Sequence, residues 1–211
     1  MHRSVSAPAA ESLDSATGLR EGRFLEYLTI GWNVIEGVVS IGAGLFAGST
    51  ALVGFGVDSA IESVSGAVLL WRLQDDACHA EREARALRLV GVSFFLLAGW
   101  VGFESARTLI LREPPGSSAV GIAIAALSLL VMPWLAYRKR RVAAVLGSRA
   151  LDSDSRQTSL CAYLSAILLG GLLLNAMLGW WWADPVAALL MVPIIVVEGR
   201  RALRGETCDT C

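Results

Sequence analysis

Long, predominantly apolar stretches alternate along the chain with short clusters of arginine. Apolar segments at roughly 25–47, 50–72, 87–110, 118–138, 157–179 and 182–200 each approach the ~20 residues that carry a helix across a bilayer. The runs are continuous and do not alternate apolar with polar positions, which argues against a membrane β-barrel. The pattern predicts an all-α polytopic membrane protein with six transmembrane helices. Residues 1–24 lack the apolar stretch of a secretory signal and read as a disordered cytoplasmic tail. Residues 25–204 form the expected transmembrane domain, and 205–211 a short cytoplasmic tail.

Composition agrees with that reading. Of 211 residues 55% are hydrophobic, and the mean hydropathy is +0.56, too apolar for an ordinary soluble domain. A net charge of -1 with no basic face excludes nucleic acid as the expected partner; the lipid bilayer is the expected surrounding. Arginines fall in the N-terminal tail (Arg3, Arg20, Arg23) and after the second span (Arg72, Arg82, Arg85, Arg88). They recur after the fourth span ("RKRR" from Arg138, then Arg149 and Arg156) and at the end (Arg200, Arg201, Arg204). These connections lie on one side of a six-span topology, whereas the other side carries little beyond Arg107 and Arg112. The positive-inside rule places both termini in the cytoplasm of a plasma or inner membrane.

The second span, "GFGVDSAIESVSGAVLLW", contains Asp58 and Glu62, four residues apart and on one helical face. A carboxylate inside a bilayer costs a few kcal/mol, so such residues face a bundle interior, a cavity or a cation. Two acids that close repel when ionised, and a metal ion or a proton between them relieves the repulsion. The competing reading is a protonated Glu62 hydrogen-bonded to a neighbouring helix. In the first span Asn33 and Glu36 share a face among several glycines, as ion-path residues or as a helix-packing hydrogen bond. In the fifth, Gln157 and Cys161 repeat the four-residue spacing. Two carboxylates and a thiolate would give zinc three ligands, with Gln157 or water as a fourth. A lone cysteine in an apolar helix is otherwise a small buried residue.

"STALVGFGVDSAIESVSG" resembles the second transmembrane helix of the cation diffusion facilitator family, and "GWWWADPVAALLMVPIIVVEGRRAL" resembles the loop and sixth helix of that family. The resemblance covers essentially residues 25–204. It implies that Asp58 and Glu62 are metal ligands, and it places the fifth-helix ligand pair on Gln157 and Cys161, where the family customarily has His and Asp. An offset of a few residues selects Asp154 with Thr158 instead. The family also has metal-binding residues in its first cytoplasmic loop, which brings in His79. The chain resembles a short form without the cytoplasmic C-terminal domain, as in the vertebrate synaptic-vesicle zinc transporters; a homodimer would then use the membrane helices. Cys208 and Cys211 form a CxxC, too few ligands for a closed zinc site and otherwise two reduced thiols in a tail.

The expected function is transport of a divalent metal cation, Zn(II) or similar as substrate, out of the cytoplasm in exchange for protons, with no resident cofactor. The chain is not expected to be an enzyme, since no nucleophile and base pair appears. An intramembrane enzyme lacks an intramembrane His. A transport-inactive scaffold or regulator with a metal site is the alternative that the altered fifth-helix pair keeps open.

Overall fold

The computed structural model describes residues 7–72 and 80–204. Among them are six helices and no strand: α1 Ala7–Ala47, α2 Thr50–Arg72, α3 Ala80–Leu111, α4 Ala119–Leu146, α5 Arg149–Leu178 and α6 Ala183–Arg204. Five contain stretches long and apolar enough to cross a membrane, namely Thr17–Ala47, Thr50–Trp71, Gly91–Leu111, Ala119–Leu146 and Asp154–Leu178. α6 has 22 residues, but Asp184 stands at one end and Glu198, Arg200, Arg201 and Arg204 at the other. The chain is an all-α, multi-pass membrane protein.

Four boundaries differ from the sequence reading, two of them because α3 begins at Ala80 and α5 at Arg149, ahead of their apolar segments. α1 begins at Ala7, inside the tail expected to be disordered through residue 24. The segment "APAAESLDSATGLREG" has Pro8 in its first turn, where proline is tolerated, and Ala, Leu, Glu or Arg at more than half of its remaining positions. Its last turns are also held in place, for Glu21 pairs with Arg138 of α4. The "RKRR" segment, in turn, is not a connection but part of α4, which continues to Leu146. Gly147 then adopts a left-handed conformation at φ 60, its N–H bonding to the Ala143 carbonyl, a conformation glycine reaches without steric cost. Ser148 immediately caps α5, accepting from the Leu151 N–H at 3.4 Å. The basic residues of this connection therefore ride on helices.

The closest helix approaches are made at glycines. A Cβ added to Gly56 of α2 would lie 2.9 Å from the Gly37 carbonyl oxygen of α1, and one added to Gly37 would lie 3.1 Å from the Gly56 oxygen. The α1 and α2 backbones thus touch, as small residues allow between membrane helices. Gly91 of α3 and Gly199 of α6 do the same, at 3.0 and 3.2 Å. α1, α2, α4 and α5 surround a common interior, while α3 pairs with α6 along its length and meets α2.

The arginine-poor connections gather at one end of the bundle. Gly116 N–H bonds to the Ala47 carbonyl at 2.7 Å, and Asn175 Nδ2 donates to the Pro115 carbonyl at 3.1 Å. At the opposite end lie Arg138, beside Glu21, and Arg140, which donates to Ser159 Oγ at 3.3 Å. Large apolar side chains such as Phe46, Phe103, Ile110 and Met177 point outward, where lipid is the solvent.

Gly56→Val forces backbone and branched side chain into the same space and should cost about 1–3 kcal/mol. The expected outcome is a lower unfolding midpoint of the purified protein in detergent; an unchanged midpoint would contradict the α1–α2 contact.

Candidate metal centre

A column of polar residues runs through the otherwise apolar interior. On α1 the residues Glu26, Thr29, Asn33, Glu36 and Ser40 are all buried, and their spacing of three and four places them on one helical stripe. α5 supplies Asp154, Thr158, Cys161 and Ser165 at the same spacing, α2 supplies Asp58, Ser59 and Glu62, and α4 supplies Ser128 and Lys139, all buried. Several of the hydroxyls satisfy themselves on their own helix. Thr29 Oγ1 donates to the Leu25 carbonyl at 2.8 Å, Thr158 Oγ1 to Asp154 at 3.2 Å and Ser165 Oγ to Cys161 at 2.8 Å. The carboxylates have to look across the bundle.

Glu36 is at the centre of this column. Its Oε1 accepts from Ser59 Oγ at 2.6 Å and from Cys161 Sγ at 3.8 Å, and its Oε2 accepts from Trp32 Nε1 at 2.8 Å. Asp58 and Glu62, only 6% and 4% exposed, act electrostatically on each other, on Glu36 and on Cys161. The structure thereby brings Asp58, Glu62, Cys161 and Glu36 into one interior, from three helices. Glu62 Oε1 and both polar atoms of the Asn33 carboxamide are buried without a hydrogen-bond partner. Gln157 stands at the edge of the group, half-buried, with its Oε1 3.4 Å from Ser65 Oγ. Among the described residues no three His, Cys, Asp or Glu side chains are already disposed as a metal cage; the donors share an interior without converging on a point.

Asp154 belongs to a different cluster. It bonds to the Lys139 ammonium, which is also 3.1 Å from Glu26 Oε1 and 3.5 Å from Thr158 Oγ1. All three charged groups are buried. Reading the sequence missed Glu26 and Lys139. Lys139 was hidden in a run of arginines, although it is the one lysine of the chain and lies in helical phase with Ser128, Met132 and Leu135. His79, Cys208 and Cys211 lie outside the described residues.

The "ADP" element has a structural role. Asp184 at the start of α6 is buried, accepts from Ser49 Oγ at 2.5 Å and faces the backbone N–H groups of Thr50 and Ala51. Ser49 in turn accepts from the Leu52 N–H at 3.1 Å. An anion from α6 thus meets the free N–H groups and the positive dipole end of α2.

The cation efflux transmembrane domain matches residues 86–206, more than half of the chain. The chain belongs to this family, the cation diffusion facilitators. An uncharacterized transporter of Synechocystis is 26% identical over 186 residues, covering 84% of this chain and 60% of the relative. Transmembrane protein 163 of Xenopus laevis is 25% identical over 187 residues, covering 87% of this chain and 66% of the relative. The cation-efflux pump FieF of Shewanella oneidensis is 26% identical over 108 residues, covering 51% and 34%. The chain thus spans less than two thirds of the length of each of these curated relatives. The family match takes in α3 to α6, and so Asp154, Gln157 and Cys161; the acid pair of α2 precedes it.

Asp184→Ala removes the cap on α2 and should cost about 1 kcal/mol of stability, read as a lower unfolding midpoint in detergent. Asp184→Asn, which keeps an acceptor oxygen, should recover part of the loss.

Proposed function

We propose that this chain is a divalent cation transporter that exports metal from the cytoplasm, with zinc as the substrate and protons as the counter-ion. The observation that carries the reading is the gathering of Asp58, Glu62, Cys161 and Glu36 in one buried interior. Carboxylate oxygen and thiolate sulfur are both zinc donors, and the interior has far more negative than positive groups. Membership of the cation efflux family supports the same class of activity. Asp58, Glu62 and Cys161 are the proposed ligands, with Gln157 at the rim; Glu36 and Asn33 line the ion path. Entry of the ion draws donors from α2 and α5 together around it, and alternating access at that point moves it across. Ligand exchange is the whole chemistry; no covalent step is needed. The arginine-bearing end of the bundle faces the cytoplasm in this reading, by the same charge rule that orients membrane proteins generally. The altered fifth-helix pair, Gln157 and Cys161, favours a second reading, a metal-binding scaffold that does not transport.

Reconstitution separates the two. Asp58→Ala should reduce zinc uptake into proteoliposomes holding a zinc-sensitive dye to the level of empty vesicles while the protein remains folded. Undiminished uptake in that variant would overturn the proposed site, and no uptake by the wild type would favour the scaffold.

The donor set also predicts selectivity. A thiolate ligand favours soft and borderline ions, so cadmium should compete well with zinc, and magnesium and calcium poorly. Zinc should slow alkylation of Cys161, and Cys161→Ser should lose most of the affinity. Equal competition by magnesium, with Cys161→Ser active, would point to an all-oxygen site.

A further inference from the structure

Toward its arginine-bearing end the polar column closes in a charge cluster that the metal site does not explain. Lys139 is wholly buried, and its ammonium is held by Glu26, Asp154 and Thr158. It is the only lysine of the chain and, among the described side chains, the only buried cation; its neighbours Arg138 and Arg140 are exposed. A simple ion pair needs one acid, and this ammonium has two. Thr158, which the ammonium touches, adjoins Gln157, and Gln157 meets Ser65 one turn from Glu62, so Lys139 and Glu62 lie beside the same turn of α5. Glu62 Oε1 is buried without a hydrogen-bond partner.

A fixed positive charge this near an acidic ligand opposes a second cation there, and the opposition is large where water does not screen it. We propose that Lys139 is a tethered counter-cation of the metal site: its ammonium competes with the incoming divalent ion for Glu62, and Glu26 with Asp154 hold it back from that carboxylate. The proposal rests on the metal-site reading above. In the empty protein the ammonium offsets the acid excess; in the loaded protein it is pressed toward Glu26 and Asp154. The site thereby stays weak enough to release its ion, a requirement for any conducting site. Lys139 touches no metal in this scheme and works through Glu62.

The test is cadmium affinity of the purified full chain in nanodiscs, measured by titration calorimetry at constant pH. Removing the ammonium in Lys139→Gln should tighten binding at least about tenfold, and removing a restraining acid in Asp154→Asn should weaken it about threefold or more. Lys139→Arg, which keeps the charge, should restore affinity close to the wild type. A purely structural cluster predicts a loosened bundle and weaker or unchanged binding in both variants, so the opposite signs are diagnostic. If Lys139→Gln does not fold, Glu26→Gln/Lys139→Gln removes one acid with the ammonium. It should still bind more tightly than Glu26→Gln alone, since the two proteins differ only in the ammonium. Binding that is lost in Asp58→Ala but unchanged or weakened in Lys139→Gln, or in its double form, overturns the role of the lysine alone. A wild-type protein that binds no cadmium, or binds it regardless of Asp58, overturns the site itself and the proposal with it.

Discussion

Charge buried in a bilayer has to be answered by charge, and this bundle is organised around that requirement. Glu26, Glu36, Asp58, Glu62 and Asp154 are all buried within it, with Lys139 as the one buried cation among the described side chains. On insertion scales each such group costs a few kcal/mol if it faces lipid. The cost fixes which face of each helix turns inward, because a rotation of α1 by half a turn would put its stripe of polar residues into lipid. Apolar packing contributes little to that choice, since lipid tails receive Leu and Phe as readily as a protein core does. The buried polar groups therefore decide which faces turn inward, although most of the core around them is apolar.

The glycine contacts serve the same end. Gly37 and Gly56 bring the α1 and α2 backbones together, and Glu36, next to Gly37, is bonded to Ser59, one turn beyond Gly56, at 2.6 Å. A side chain at either glycine would separate the helices and stretch that bond. Close packing and the placement of the central acid are one feature, read once in the backbone and once in the side chains.

How much of this the sequence disclosed follows from the kind of signal involved. Continuous apolar runs are strong signals, and the helices appear where they were expected, except at ends where charged segments extend α1, α3, α4 and α5. Asp58 and Glu62 were legible because a charge inside an apolar run is conspicuous. Cys161 was legible only through its spacing, and its neighbour Glu36 could be placed near it only once α1 and α5 were packed. Lys139 was not legible. Sequence hydropathy treats "RKRR" as a polar boundary, yet a helix sends Arg138 and Arg140 outward and the residue between them inward. The acids that meet Lys139 stand far from it in the chain, on α1 and α5, and no local pattern joins them. Asp184 was noticed as part of a motif, whereas its bond to Ser49 spans most of the sequence.

That bond has a mechanical meaning. It ties the first turn of α6 to the first turn of α2 at the arginine-poor end, and Gly91 with Gly199 ties α6 to α3 near the other. α3 and α6 are thereby joined into a strut that also packs on α2 and α5. Any displacement of α6 is passed to α2 through a buried hydrogen bond at one end and to α3 through backbone contact at the other.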